Sequence, residues 1–192
     1  MFHVKHLIEE YLKELKIQTN NEKPDILLLY LEELIQWNKK INLISRKLKK
    51  EDVLKKLLLP SLIPYEIISG NEKILDFGAG AGIAGIPLKI FKPGIELHLL
   101  ESKHKTVIFL EYIASALNLN LKILNKFVRS AEDIEESYDW VLVRALDPEK
   151  IPEGTGRRII YYGKYTGDKL TCTNELNRKD KTISILEWQC FT

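Results

Sequence analysis

Residues 73–90 constrain this chain more than any other stretch. An apolar run at 73–77 passes directly into Asp76-Phe77-Gly78-Ala79-Gly80-Ala81-Gly82, and residues 83–90 follow as a short apolar helix. Strand, glycine turn and helix in that order open a βαβ unit, and the glycines let the backbone turn tightly and approach a ligand closely. The pattern repeats downstream. Pro93-Gly94 marks a turn, and residues 95–100 read as a second strand ending at Glu101. Residues 103–119 read as a helix with Val107, Leu110, Ile113, Ala114 and Leu117 on one face, 121–127 as a third strand, and 138–145 as a fourth. Such alternation predicts a parallel sheet with helices on both faces.

The flanks differ in texture. Val4, Leu7, Ile8, Tyr11, Leu12 and Leu15 share one helical face. A second helix is expected from Pro24, with Leu27, Leu28, Leu31, Leu34, Ile35 and Ile41 as its apolar stripe, and a third over 51–59, stopped by Pro60. Residues 1–70 therefore read as a helical extension and 71–192 as the α/β domain. Near the C-terminus, 158–162 and 181–188 read as strands, with a polar stretch at 167–180 between them. The expectation there is an edge hairpin or antiparallel pair. The link after the fourth strand is short and holds Pro148, Pro152, Gly154 and Gly156, so its crossover helix is expected to be short or absent.

The glycine loop narrows the ligand. A helix N-terminus behind it offers free N–H groups and a positive dipole end. Gly80-Ala81-Gly82-Ile83-Ala84-Gly85 satisfies the dinucleotide pattern, which keeps NAD in play. Asp76 tips the balance, because a carboxylate there repels a pyrophosphate and accepts from the amino group of S-adenosylmethionine (SAM). The fold class expected is therefore α/β, a Rossmann-like SAM-dependent methyltransferase fold with a mostly parallel sheet, antiparallel C-terminal strands and an N-terminal helical extension. Glu101, at the second strand end, is placed to hold ribose hydroxyls. Ala131-Glu132-Asp133, after the third strand, falls beside the adenine position. Arg144 ends the fourth strand, facing cofactor or substrate. A valine at Gly80 is expected to block the loop.

Composition excludes several classes. Cys172 and Cys190 form no CxxC and have no histidine pair nearby, so no metal is expected. No apolar run reaches the length of a membrane span, and a cytoplasmic location follows. The net charge is only +2, so a nucleic-acid reading must rest on local patches. Residues 39–56 carry Lys39, Lys40, Arg46, Lys47, Lys49, Lys50, Lys55 and Lys56 against Glu51 and Asp52, a candidate phosphate-contacting face. Arg157, Arg158, Lys164, Lys169, Arg178, Lys179 and Lys181 are candidates for a second. Trp37 reads as a core or interface aromatic. Asn38 and Asn42, four apart, are placed to cap or tether the glycine-loop region.

Trp37-Asn38-Lys39-x-x-Asn42-Leu43, the glycine loop, Leu99-Leu100-Glu101-Ser102, Ala131-Glu132 and Val143-Arg144-Ala145, in that order, resemble the RsmG family, also called glucose-inhibited division protein B. The likeness runs from about residue 25 to 146. It implies methyl transfer from SAM to N7 of a guanine in 16S ribosomal RNA, giving 7-methylguanosine, with cofactor contacts at Gly78, Ile83, Ala131, Glu132 and Arg144. Guanine N7 carries a lone pair and no proton, so no catalytic acid or base is expected; alignment and exclusion of water carry the rate. The RNA partner is expected as 16S RNA or a small-subunit precursor, contacted through Lys39, Arg46, Lys47, Lys49, Lys50, Lys55 and Lys56. A monomer is expected. Where the family often carries Arg-His-x-x-Asp-Ser before the first strand, Lys56-Leu57-Leu58-Leu59-Pro60-Ser61 keeps only the serine. Ala84 replaces a common proline, and the tail is short. Other readings left open are a SAM-dependent enzyme for another substrate, an NAD(P)-dependent oxidoreductase, and a non-catalytic RNA-binding module.

Overall fold

The computed structural model describes residues 2–20, 22–178 and 181–189. Lys179 and Cys190 lie outside them. Seven strands form one sheet: β1 (Lys73–Phe77), β2 (Glu96–Leu100), β3 (Lys122–Leu124), β4 (Tyr138–Val143), β5 (Gly156–Tyr161), β6 (Leu170–Arg178) and β7 (Lys181–Trp188). Their order is β3-β2-β1-β4-β5-β7-β6. β1 to β5 are parallel, while β7 runs antiparallel to both β5 and β6. The polar 167–180 stretch holds β6, the edge strand of the expected hairpin. Its side chains are almost all exposed, so it has no buried face to impose an apolar alternation.

Five α-helices are described: α1 (Phe2–Glu14), α2 (Glu22–Asn38), α3 (Lys50–Val53), α4 (Gly85–Phe91) and α5 (His104–Ala116). They all pack on one face of the sheet. Ile8 and Leu12 of α1, Leu27, Leu31 and Leu34 of α2, Val53, Ile86 and Phe109 share a core with Ile74, Trp140, Leu142, Ile160 and Ile185 of the strands. The opposite face carries Leu75, Leu100, Val141, Val143, Ile159 and Leu186. Among the described residues no α-helix covers it; Val128, Ile134, Ile151 and Tyr165 from connecting segments do. Helices on both faces are therefore not what forms. The β3–β4 and β4–β5 links form only 3-10 turns (Ala131–Asp133 and Pro148–Lys150), and isolated apolar side chains of the connecting segments close the face instead.

Pro60 does not end the third helix. The chain stays helical from Lys50 to Glu66, passing from α3 through a π turn (Leu54–Leu58) into a 3-10 helix (Leu59–Glu66). Proline has no N–H to give the preceding turn, whose bonds run five residues back, as from Leu59 N to Leu54 O. Arg144 Nη2 donates to Lys56 O at 3.0 Å. Leu57 O accepts from Arg144 Nη1 at 2.8 Å. The arginine thus holds two carbonyls of the turn that meets the proline, and Ser61 Oγ also reaches Leu57 O, at 2.9 Å.

Candidate functional site

The strand order reverses between β1 and β4, the place where open α/β sheets bind ligands. The glycine loop leaves β1 there, and residues 144–146 leave β4 beside it. Gly78, Gly80 and Gly82 have φ of +69°, +54° and +76°, a region L side chains rarely enter. The three glycines are not equivalent. A Cβ on Gly78 would meet Leu146 Cδ1 at 2.5 Å, and one on Gly82 would meet Ile86 Cδ1 at 2.4 Å. At Gly80 it would find only Gly78 O, at 3.9 Å. Gly80 therefore faces an open side, where a ligand can come against the backbone, and the packed glycine is Gly82.

Glu101 is 8% exposed and clamps this loop. Its Oε2 accepts from Gly80 N at 3.0 Å and its Oε1 from Lys103 N at 2.8 Å. A carboxylate has about four lone-pair positions, so two bonds leave capacity for hydroxyl donors. Asn125 Nδ2 donates to Glu101 O at 3.0 Å and sets the strand end.

Asp76 is 2% exposed and turned under the loop rather than out of it. Its Oδ2 accepts from Gly85 N at 2.9 Å, which ties β1 to the first turn of α4. Burial raises its carboxyl to about 7; the Gly85 N–H and the Arg144 charge work against that rise and Glu101 with it.

Two loop carbonyls are held from the N-terminal helices. Tyr30 OH donates to Ala81 O at 2.6 Å, and Ser61 Oγ to Ile83 O at 2.6 Å. Arg144 Nη1 in turn donates to Ser61 Oγ at 3.0 Å, and Tyr162 OH to Ser61 O at 3.2 Å. The Arg144 guanidinium lies 5.4 Å from the Tyr162 ring centroid. Sequence reasoning missed Tyr30, Ser61 and Tyr162 as site residues. Only Ser61 left a trace, as the retained serine of the Lys56–Ser61 stretch. Asn38 and Asn42 do not tether the loop: α2 ends at Asn38, whose Oδ1 accepts from Leu43 N and Ile44 N instead. Tyr30 does that work. Replacing Tyr30 by phenylalanine is expected to leave Ala81 O buried without its donor and cost about 1–2 kcal/mol. Urea denaturation measures this; an unchanged midpoint would mean the bond contributes nothing.

The remaining expected residues fall around this centre. Ala131 and Glu132 sit in a 3-10 turn (Ala131–Asp133) capped by Ser130 and Asp133. The exposed Glu132 carboxylate lies below its usual range, chiefly through a hydrogen bond from Ser130. Trp37 packs on Phe109 and Tyr112 at centroid distances of 5.6 and 5.1 Å, an inter-helix role. Leu146 is 42% exposed and also lines a cavity of about 510 Å³ formed with Asp147, Pro148, Tyr161 and Tyr165. Leu146, the side chain beside Gly78, is what links this cavity to the glycine loop.

The basic residues divide. Lys50 pairs with Glu32 at 2.8 Å, Lys56 with Asp52 at 2.8 Å and Lys55 with Glu51 at 3.7 Å. Among the described residues no ion pair is found for Lys39, Arg46 or Lys47, while Lys49 lies close enough to Asp52 for its charge to help hold that carboxyl below its usual range. Of the second candidate face, Arg157, Arg158 and Arg178 lie against Asp139, Glu187 and Glu66. Far from the loop, Glu96, His98 and Glu136 bring ligand atoms within 4.8 Å of one another. Lys73 and Lys122 already hold the carboxylates of that cluster.

A parallel sheet with an antiparallel C-terminal pair and a glycine loop at its switch point defines the Rossmann-like methyltransferase class. A SAM-dependent methyltransferase from Aquifex aeolicus shares the fold (TM-score 0.52, 15% identity, 71% of this chain and 92% of that one). So does TrmN from Thermus thermophilus (TM-score 0.54, 11% identity, 68% and 48%). Residues 23–185 match the family described as GidB, rRNA small subunit methyltransferase G, and the chain belongs to that family. Ribosomal RNA small subunit methyltransferase G of Syntrophotalea carbinolica is 38% identical over 136 residues, covering 68% of this chain and 62% of that protein. Its counterpart in Mycoplasma capricolum is 43% identical over 131 residues, covering 66% and 55%. The Aquifex aeolicus relative is 37% identical over 153 residues, covering 74% of each. The chain thus spans about three-fifths of the length of the first two relatives. No described helix is long and apolar enough to cross a membrane.

Proposed function

We propose that this protein binds SAM on the glycine loop and methylates N7 of a guanine in 16S ribosomal RNA, acting as a monomer in the cytoplasm. The observation that carries the reading is the loop itself: three positive-φ glycines, open at Gly80, clamped by Glu101 at the switch point. The residues present fit the cofactor. Gly80 offers a close backbone approach in a loop whose turn Gly78, Gly82 and Ile83 complete, Glu101 has lone pairs to spare for ribose hydroxyls, and Ala131 and Glu132 flank the adenine side. SAM, when bound, supplies an electrophilic methyl group.

The chain's part is positioning. Asp76, buried at the loop's base, acts on the cofactor's cationic groups as a nearby negative charge. Arg144 and Ser61 hold the end of β4 against the loop, where the target base would enter through the cavity behind Leu146. Guanine N7 has no proton to remove, so no general base is required, and rate comes from alignment and exclusion of water. Residues 1–70 act as an extension that braces the loop and meets the RNA.

The test is transfer of labelled methyl groups from SAM to 16S RNA lacking its modifications, followed by chain cleavage selective for 7-methylguanosine. Label at a single cleavable guanine is expected. SAM binding with no label in RNA would point to another substrate.

Asp76 adds a pH signature. Its carboxyl is raised to about 7, and a bound cation favours the ionised form, so SAM binding expels a proton below that pH. Affinity should rise from pH 6 to pH 8, about fivefold for a one-unit drop in the bound-state pKa. Calorimetry in buffers of different ionisation enthalpy reads both effects. A flat affinity across that range would remove Asp76 from cofactor binding.

A further inference from the structure

Between Trp37 and Lys50 the chain carries six cations and no acid. The segment is not a loose tail. Asn38 Oδ1 pins it through Leu43 N and Ile44 N at 2.8 and 3.0 Å. Pinned this way, it folds over α2 and α3 and encloses a cavity of about 230 Å³. Ile35, Ile44, Leu48 and Val53 give it an apolar lining, and Asn38, Lys39, Arg46 and the Glu32-paired Lys50 a polar and cationic one. Lys47 and Lys49 lie exposed on the same turn. The volume is below the ~300–1,000 Å³ of pockets for drug-sized ligands.

We infer that this cavity is an anchoring pocket for one unstacked nucleotide of single-stranded RNA, its base against the apolar walls and its phosphates on the cations. The inference rests on the RNA reading above and gives it a second contact point. A cationic lining rejects metal ions and basic ligands, and free phosphate would make no use of apolar walls. An unpaired nucleotide matches both, since its base is flat and largely apolar on its faces and its backbone is anionic. The helical run starting at Lys50 leads from this pocket to Lys56 and Leu57, whose carbonyls Arg144 holds. A strand seated in the pocket would therefore be fixed close to the end of β4.

The experiment is fluorescence anisotropy with a labelled single-stranded RNA and its abasic counterpart, across a salt series, alongside SAM calorimetry and the methyl-transfer assay. For the combined variant Arg46→Ala, Lys47→Ala, Lys49→Ala, the slope of log affinity against log salt should fall by about two, from ~0.7 per phosphate contact. The three side chains are exposed, so folding is not at stake, and SAM affinity should stay that of the parent protein. The abasic strand should bind the parent protein roughly ten times more weakly, since a base contact of this kind is worth about 1–3 kcal/mol. An unchanged salt slope, equal affinity for the abasic strand, or equal affinity for phosphatidylglycerol vesicles would overturn the pocket. RNA binding that follows these expectations without methyl transfer would sink the functional reading and leave the pocket standing.

Discussion

Valine at position 82 is expected to cost the protein about 2–5 kcal/mol, from left-handed strain of ~1–2 kcal/mol and overpacking of ~1–3 kcal/mol. Gly82 has φ of +76°, where a β-branched residue is a rare outlier. Its new Cβ would lie 2.4 Å from Ile86 Cδ1, 2.8 Å from Ile86 Cγ1 and 3.3 Å from Leu110 Cδ2. Ile86 and Leu110 are both fully buried, so neither can swing aside. A domain stabilised by roughly 5–15 kcal/mol would lose a large share of its margin. SAM affinity should fall with it, because Gly82 N donates to Ala79 O at 2.8 Å and any shift there moves the whole loop. Gly80→Ala is the internal control. It shares the positive φ but meets only Gly78 O at 3.9 Å, so its stability loss should be limited to about 1–2 kcal/mol of backbone strain. Urea denaturation and SAM calorimetry on both variants decide the matter. Equal stability losses at 80 and 82 would mean that packing against α4 and α5 is not what holds the loop.

Arg144→Met should have the second largest effect. The methionine fills much of the same space but donates nothing, so Lys56 O and Ser61 Oγ lose a partner and Leu57 O its arginine donor. Hydrogen bonds from a charged donor contribute about 1.5–3 kcal/mol each and are not additive in one cluster, so a loss of roughly 3 kcal/mol is expected. Methyl transfer should drop further than stability, on the order of 100-fold, since a small misplacement of the end of β4 spoils alignment. Arg144→Lys separates charge from geometry. An ammonium on a single stem cannot reproduce a planar fork aimed at three acceptors. It should keep SAM affinity closer to that of the parent protein and still lose most of the transfer rate. Parent-like stability and rate in Arg144→Lys would reduce the arginine to a simple positive charge.

Some of the site is legible in the sequence alone. The loop glycines declared themselves because positive φ is a local demand, written at the position that must meet it. Glu101 was legible because a strand end in a βαβ unit has a fixed place relative to the loop. β1 and β7 match the expected ranges residue for residue, since each is apolar enough to read alone. The missed parts share a cause. Tyr30 and Ala81 are 51 positions apart, and Arg144 and Lys56 are 88 apart. Nothing in the neighbourhood of Tyr30 distinguishes a tyrosine that bonds a distant carbonyl from one that merely fills a core.

The order of strand and helix, the glycine loop and the acid-free basic segment at 37–50 were determined by the sequence itself, because each depends on spacing within a few residues. Tertiary structure alone decided that all five described α-helices lie on one face, that Asp76 turns inward to Gly85 and that Pro60 sits in an unbroken helical run. It also decided which lysines meet an acid, as Lys50 does Glu32 and Lys56 does Asp52. These outcomes depend on which carbonyl, carboxylate or apolar side chain arrives from elsewhere in the chain to satisfy a local need. That arrival is set by the packing of the whole fold.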